Sequence, residues 1–138
     1  MVAKSVAVKF EELLKDEEQV HLATHHVLHG GMYARTVLVQ KGVAIVGAEI
    51  KVPTIVIING KVDVNLDDGF ETFTGYHVLA ASMGRKQVFI ALEDTYITMM
   101  LATDASRVCD AEQVFTDDYD RLASRSSEAN NIEIITGE

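Results

Sequence analysis

Residues 42–60, GVAIVGAEIKVPTIVIING, and their continuation KVDVNL in residues 61–66 decide the fold of this chain. Residues 55–58 form an unbroken apolar run, and residues 61–66 alternate polar and apolar side chains. Such alternation is typical of a strand with one buried and one solvated face. We predict a loop, a strand, a glycine turn at Asn59 and Gly60, and a return strand, which together form the middle of an antiparallel sheet.

Further short segments of strand character follow one another between residues 21 and 103. They are separated by glycine or aspartate turns and comprise residues 21–29, 32–42, 70–75, 76–81, 86–92 and 95–101, with a hairpin turn at residues 67–69 and a turn at residues 82–84. About seven to nine strands at this regular spacing are typical of an antiparallel sandwich or barrel. The predicted fold class is therefore mainly β, with an antiparallel β-barrel or jelly roll.

Amphipathic segments flank the predicted barrel. Residues 4–19 show helical spacing behind Ser5, a residue type that caps helix starts. After Thr103 helical spacing returns, with a break expected near Thr116, in the apolar residues Val108, Ala111, Phe115, Tyr119 and Leu122. We expect a single domain over residues 1–138, with a helical segment at 1–20, the barrel at 21–103, and a helix and tail at 104–138. Residues 132–135 fit either a loose tail or an edge strand added to a neighbouring subunit.

The composition limits size, partners and location. With 138 residues, 48% of them hydrophobic, the chain is long enough for one domain with a core. Its formal net charge of −9 argues against nucleic acid as a partner, because duplex binding depends on Lys and Arg. No apolar run approaches the ~20 residues of a membrane span, and residues 1–18 lack the pattern of a signal peptide. A single cysteine, Cys109, allows no internal disulfide. We therefore expect a cytoplasmic protein without a membrane partner.

Four histidines lie in residues 21–29, HLATHHVLH, and suggest a metal site. On a strand, His25 and His29 would share one face and His26 would lie on the other. A metal site needs ligands that converge on one ion at about 2 Å. Polar strand residues without a metal are therefore the favoured interpretation. A site built from His25, His26 or His29 together with His77 is the weaker alternative.

Tyr33 and Arg35 lie on one side of the next predicted strand. An aromatic ring and a cation facing a barrel mouth would suit an anionic ligand, and the alternative is a surface arginine packed on a tyrosine. Glu49 and Lys51 allow two interpretations as well. They could serve as a general base and an anion-holding cation, or form a surface salt bridge.

Three blocks of the chain resemble small single-domain cupins, in particular short cupin-like proteins often encoded in tailed bacteriophage genomes. The blocks are GGMYARTVLVQKGVAIVG, EIKVPTIVIINGKVDV and GYHVLAASMGRKQVFIALEDTYITMM, and the resemblance spans residues 21–103 with the acidic helix after them. It implies a cupin-type jelly roll, a fold whose members often hold a metal ion in the barrel.

The metal-ligand motifs of the family are altered in this chain. Gly42 and Gly60 match the glycines that flank the first motif, but Glu49 and Lys51 lie nearest its histidine pair. Pro53 stands where a glutamate ligand is expected, and Gln87 replaces the histidine of the second motif. A Glu and a Gln do not form the imidazole-rich site of metal-dependent cupins. No cofactor is therefore favoured, and a divalent metal is the alternative.

Two functional hypotheses follow from the resemblance and its departures. The first is a non-catalytic cupin-fold protein with a phage-type structural, assembly or ligand-binding accessory role, made in the host cytoplasm and either retained there or associated with the virion. Its expected partners are further copies of the chain and other virion or host proteins. The second is a small-molecule binder or enzyme that uses the barrel pocket, metal-free or with a rearranged histidine site. Its candidate ligand-binding residues are Tyr33, Arg35, Glu49, Lys51, His77 and Gln87.

Overall fold

The computed structural model describes residues 6–9, 12–13, 22–66, 69–117 and 131–136. This part of the chain contains eight strands: β1 (Thr24–His29), β2 (Met32–Val39), β3 (Ala44–Val46), β4 (Thr54–Leu66), β5 (Gly69–Ala81), β6 (Val88–Ala91), β7 (Thr95–Ala102) and β8 (Asn131–Ile135). Helix α1 spans Val108–Phe115. The mainly β fold class predicted from the sequence is confirmed.

The strands form one sheet that curls into a half-barrel. Its order is β3, β6, β4, β7, β2, β1, β8, and β5 pairs along the other edge of β4. The first half of β4 pairs with β7, from Ile55 to Asn59, and the second half pairs with β6, from Val62 to Val64. Because β5 follows β4 over its whole length, the β4–β5 hairpin belongs to both halves of the curled sheet.

Gly60 marks the point where β4 leaves β7 and reaches β6. A Cβ atom at this position would lie 2.7 Å from the Asp94 carbonyl oxygen and 2.7 Å from Thr95 Cα. The Lys61 N–H beside it donates a 3.1 Å hydrogen bond to the Thr95 hydroxyl. The predicted chain reversal at Asn59 and Gly60 is therefore wrong, since the strand continues. Glycine is required here by the close approach of a second backbone.

Two further strand predictions are corrected. Residues 70–75 and 76–81 form the single strand β5, in which Gly75 has a φ of 88° and stays paired with Gly60. Residues 131–135 form β8, which pairs in parallel with β1 of the same chain. They are therefore neither a loose tail nor a strand added to a neighbouring subunit. The predicted hairpin after β4 is confirmed, since Leu66 pairs with Gly69.

The hydrophobic core lies between the two halves of the curled sheet. Val56, Ile58 and Ile97 contribute from the half that contains β7, and Val62 and Phe89 from the half that contains β6. Each of these side chains is less than a tenth exposed. Inward positions alternate with outward ones along each strand.

Helix α1 buries one face against this core. Its buried residues are Val108, Ala111, Glu112 and Phe115, which recur at the i, i+3, i+4, i+7 spacing of an amphipathic helix. The helix ends at Thr116, where a break was predicted. Tyr119 and Leu122 lie outside the described residues. The Thr116 hydroxyl donates to the Glu49 carbonyl at 2.6 Å, so the helix end is attached to the loop between β3 and β4.

Residues 6–9 and 12–13 are helical, in agreement with the predicted N-terminal helix. Ala7 is fully buried, whereas Val8 and Leu13 are exposed. The predicted cap Ser5 and the apolar Phe10 and Leu14 lie outside the described residues. Within the described part of the chain, no helix has the length and apolar character needed to cross a membrane.

Replacing Gly60 by Ala should destabilise the protein by about 2–3 kcal/mol, because the added methyl group would force two paired backbones apart. Urea unfolding followed by circular dichroism measures this loss. Gly42→Ala is the matched control: Gly42 also has a positive φ, 85°, but nothing lies within 4 Å of the added Cβ. It should cost only about 1 kcal/mol. Equal losses for the two variants would contradict the close-approach argument.

Candidate functional site

A cavity of about 300 Å³ opens between the β4–β5 hairpin and the segment that leads into β6. Its walls are mainly apolar, with polar groups from three side chains. The lining residues are Val56, Leu66, Glu71, Phe73, Leu79, Ala80, Ala81, Arg85 and Gln87. A few polar groups set among apolar walls are typical of a small-ligand site.

Backbone hydrogen bonds fix the segment that carries Arg85 and Gln87. The Gly47 N–H donates to the Gln87 carbonyl at 2.8 Å, and the Ile50 N–H donates to the Arg85 carbonyl at 2.9 Å. The Gly84 N–H donates in turn to the Ile50 carbonyl at 2.6 Å. Since Arg85 and Gln87 are two residues apart in an extended segment, their side chains lie on the same side of it. Both therefore line the cavity.

Arg85 has an unsatisfied hydrogen-bond donor. Its Nε atom is buried and has no hydrogen-bond partner among the described residues. Burying an N–H group without an acceptor costs free energy comparable to a lost hydrogen bond. Because this atom is enclosed, a ligand in the cavity would have to bind the other N–H groups of the Arg85 guanidinium.

The cavity residues do not fit the metal ion that the cupin resemblance implies. The polar groups are the carboxylate of Glu71, the guanidinium of Arg85 and the amide of Gln87. Transition metals in proteins prefer imidazole, thiolate and carboxylate ligands, and a permanently charged guanidinium repels a dication. Across the described residues, no group of three or more His, Cys, Asp or Glu side chains is arranged to hold a metal.

The predicted ligand-binding residues do not all lie at the cavity. Gln87 lines it. His77 packs edge-on against the lining residue Phe73, with ring centroids 5.2 Å apart, and its Nε2 lies 2.9 Å from the Thr74 carbonyl oxygen. Glu49 and Lys51 lie in the loop between β3 and β4.

The Lys51 side chain forms an ion pair at the protein surface. Its ammonium group lies 2.8 Å from the Asp117 carboxylate, and both side chains are exposed. Its backbone N–H donates to the Phe115 carbonyl at 3.0 Å. Lys51 therefore contacts both the end of α1 and the residue that follows Thr116.

The histidines of β1 are divided between the two faces of the strand. His25 and His29 are exposed on one face, where His29 Nδ1 lies 2.6 Å from the Thr136 hydroxyl. His26 is 1% exposed on the other face. The strand period therefore separates His26 from His25 and His29, as the sequence predicted.

Tyr33 and Arg35 belong to a buried polar cluster between β1, β2 and α1. His26 Nδ1 and the Tyr33 hydroxyl are joined by a 2.6 Å hydrogen bond. Arg35 forms an ion pair with Glu112 of α1 at 3.2 Å, and the two side chains are 6% and 2% exposed. The Arg35 guanidinium also lies 5.7 Å from the centre of the Phe115 ring. The sheet is thus attached to α1 by charge as well as by apolar contact.

The environment of this cluster keeps Tyr33 neutral. Burial raises the pKa of the Tyr33 hydroxyl well above its ordinary value, and the nearby positive charge of Arg35 opposes that rise. Because the neutral form is the stabilised one, this contribution to folding is present below the ordinary tyrosine pKa and is lost at more alkaline pH.

Three residues of the cavity and of the buried polar cluster were not identified from the sequence: Glu71, Arg85 and Glu112. Arg85 could have been found from Gln87, since it lies two residues earlier on the same side of an extended segment. Glu112 is a charged residue at a buried position of the α1 pattern, and such a residue requires a partner. Glu71 gives no sequence signal, because it reaches the cavity through the pairing of β5 with β4.

Replacing Glu112 by Ala should destabilise the protein by about 3–5 kcal/mol, because Arg35 would stay buried without its counter-charge. The double variant Arg35→Met, Glu112→Leu removes both charges and should cost less than Glu112→Ala. Urea unfolding measures the two values.

The exposed pair of Lys51 and Asp117 provides the control for this experiment. Lys51→Met should change stability by only about 0–1 kcal/mol, since solvent screens an exposed pair. A loss of that small size for Glu112→Ala would show that the buried pair does not hold α1 on the sheet.

Comparisons with known proteins show which solved structures have a similar fold. No protein-family model matches the chain, and no curated protein matches it in sequence. Among solved structures, the plu4264 protein of Photorhabdus luminescens superposes with a TM-score of 0.52 at 12% identity, covering 64% of this chain and 83% of that one. KdgF of Halomonas gives 0.52 at 15% identity, covering 65% and 87%.

A third similar structure belongs to a protein described as a cupin. A cupin superfamily protein of Desulfitobacterium hafniense superposes with a TM-score of 0.51 at 11% identity, covering 64% of this chain and 84% of that one. At such low identity the likeness concerns the backbone arrangement alone. The curled sheet of this chain therefore has a cupin-like fold.

Proposed function

We propose that this protein is a metal-free, non-catalytic binding protein whose barrel cavity takes a small ligand with an anionic group and an apolar body. The observation that carries this proposal is the position of Arg85, a permanently charged side chain in the lining of a cavity of about 300 Å³ whose walls are mainly apolar. A carboxylate or phosphate group would pair with the guanidinium. Arginine binds these anions through parallel N–H groups.

The rest of the cavity supports an apolar body for the ligand. Val56, Leu66, Phe73 and Leu79 supply aliphatic and aromatic surface. Removing this surface and that of a ligand from water contributes roughly 25 cal/mol per Å². The Gln87 amide can both donate and accept hydrogen bonds, which would select the orientation of a polar substituent.

The side chains that the described residues bring to the cavity support binding over covalent chemistry. Among the described cavity residues, Glu71 is the one side chain that could act as a base, and no Ser, Cys, Lys or His accompanies it. Covalent catalysis requires a nucleophile within hydrogen-bond reach of an orienting base. The cavity supplies recognition groups without such a pair.

Aromatic and aliphatic monoanions should stabilise the protein, whereas their neutral amides should not. Benzoate and hexanoate are suitable probes, with benzamide and hexanamide as matched neutral analogues. At about 100 times its dissociation constant, a bound probe raises the free energy of unfolding by about 2.7 kcal/mol. Calorimetric titration and thermal unfolding both measure this effect.

Arg85→Gln should weaken binding of the anionic probes by at least tenfold, since it removes the positive charge that would pair with the anion. Arg107→Gln is the matched control, because Arg107 is exposed and paired with Asp110 outside the cavity. Equal affinity in the wild-type and Arg85→Gln proteins, or equal affinity for acids and amides, would contradict the proposal.

A structural or assembly role in a tailed bacteriophage is the second candidate, in line with the sequence resemblance. The observation that favours it is the number of large hydrophobic side chains exposed on the outer side of the sheet, among them Ile55, Tyr76, Val78 and Tyr96. Such surfaces mark protein contacts. In this case the chain is made in the host cytoplasm and then joins the particle.

The assembly role predicts that the chain copurifies with intact particles through a density gradient. Mass spectrometry of the purified particles measures it against a known capsid component. If the chain is present in the infected-cell lysate but absent from the particles, the assembly role is contradicted and ligand binding stays the one proposed function.

A further inference from the structure

The cavity between the β4–β5 hairpin and the segment before β6 is lined by one negative and one positive side chain. Glu71 reaches it from β5, and Arg85 reaches it from the segment that leads into β6. The other lining residues among those described are uncharged. A ligand with a single anionic group would use the charge of Arg85 and leave the charge of Glu71 without a role.

The two charged residues enter the cavity from opposite sides of β4. Val64 of β4 is paired with Glu71 on one side and with Phe89 of β6 on the other. The backbone of Glu71 therefore lies two strand spacings, roughly 10 Å, from that of β6. Val64 is fully buried, and directly paired residues point to the same face of a sheet. Glu71 thus lies on the inner side of the curled sheet, across the cavity from the segment that carries Arg85.

Glu71 and Arg85 do not neutralise each other. The ion pairs within the described part of the chain include neither side chain. In the buried polar cluster, by contrast, Arg35 and Glu112 are in direct contact at 3.2 Å. The cavity therefore keeps two unlike charges apart, and a molecule that carries both signs of charge would complement both.

The two charged side chains differ in exposure. Arg85 is partly buried, whereas Glu71 is exposed and lies at the open end of the cavity. An anionic group of the ligand would then occupy the more enclosed end, and a cationic group would lie nearer to solvent. A charge loses less hydration at an exposed position, so the ammonium group can approach Glu71 at a small desolvation cost.

We propose that the ligand of this cavity is a zwitterion, an amino acid with an apolar body, an inference that rests on the proposed binding function. The carboxylate of the ligand pairs with the Arg85 guanidinium, and its ammonium group pairs with the Glu71 carboxylate. Its hydrocarbon part contacts Phe73 and Leu79. Glu71 also selects against ligands with a second negative charge, because like charges repel.

A hydroxylated acid is the alternative that the cavity favours less. A hydroxyl group could donate a hydrogen bond to Glu71. Further hydroxyl groups would lose their hydrogen bonds to water against the apolar side chains of Val56, Leu66 and Leu79, which costs free energy. A charged donor also forms a stronger hydrogen bond with a carboxylate than a neutral donor does. An ammonium group on an apolar body is therefore the better match.

Calorimetric titration of the full chain with two matched sets of acids tests the proposal. The first set is hexanoate, 6-hydroxyhexanoate and 6-aminohexanoate, and the second is 4-methylpentanoate and leucine, which carries its amino group beside the carboxylate. In at least one set the amino compound should bind about tenfold more tightly than its parent acid, because it adds a hydrogen bond between charged groups. The hydroxyl compound should gain much less.

Glu71→Gln should reverse this preference. Affinity for the preferred amino compound should fall about tenfold, while the parent acid should bind at least as tightly as it does to the wild-type protein, because a repelling charge is gone. A general loss of structure would weaken both ligands. Glu93→Gln is the matched control, since Glu93 is exposed in the turn between β6 and β7, outside the cavity lining, and the variant removes the same charge.

The outcomes separate the zwitterion from the binding function on which it rests. Three results would overturn the zwitterion: amino compounds that bind no better than their parent acids in either set, equal affinity for 6-hydroxyhexanoate and 6-aminohexanoate, or equal weakening by Glu71→Gln and Glu93→Gln. In each case the binding function stands if the acids still depend on Arg85. If no compound of either set binds, the binding function fails and the zwitterion fails with it.

Discussion

The backbone of β4 passes so close to that of Asp94 and Thr95 that Gly60 has no room for a side chain, and the curled sheet depends on this approach. Before Gly60, β4 is a neighbour of β7, and after it β4 is a neighbour of β6. The two pairings direct the sheet in two directions, so the inner side chains of the two halves face each other. The core and the cavity both result from this change of partner, because a flat β4 would leave their residues on an open surface.

The interior has two kinds of environment, and each has a different role. Near β1, β2 and α1 it contains a complete polar cluster, in which Tyr33 is hydrogen-bonded to His26 and Arg35 is paired with Glu112. Near the β4–β5 hairpin it contains Arg85, whose Nε has no acceptor among the described residues. A buried charge that is paired within the protein fixes structure, whereas a charged side chain in the lining of a cavity can bind a ligand. The two arginines thus show that residue type alone does not identify a site.

The mainly β fold could be predicted because alternation, turn residues and spacing are local properties of the sequence. The same reasoning placed His25 and His29 opposite His26, and Tyr33 beside Arg35. It was wrong at Gly60, because a glycine required by a close backbone approach looks in sequence like a glycine required by a turn. It did not identify Arg85 as a cavity residue or Glu112 as the partner of Arg35. Both depend on contacts between segments distant in the chain, which periodicity does not report.

The parallel pairing of β8 with β1 has a consequence for synthesis on the ribosome. Thr24 of β1 is paired with Asn131, and Leu28 with Ile135, so the strand made early in translation acquires its second neighbour only near the end of the sequence. Until then one edge of β1 presents unpaired backbone groups, and an open edge of this kind can join another chain. Contacts between residues so far apart in sequence also form slowly. The nascent chain is therefore most vulnerable to aggregation in the interval before β8 emerges.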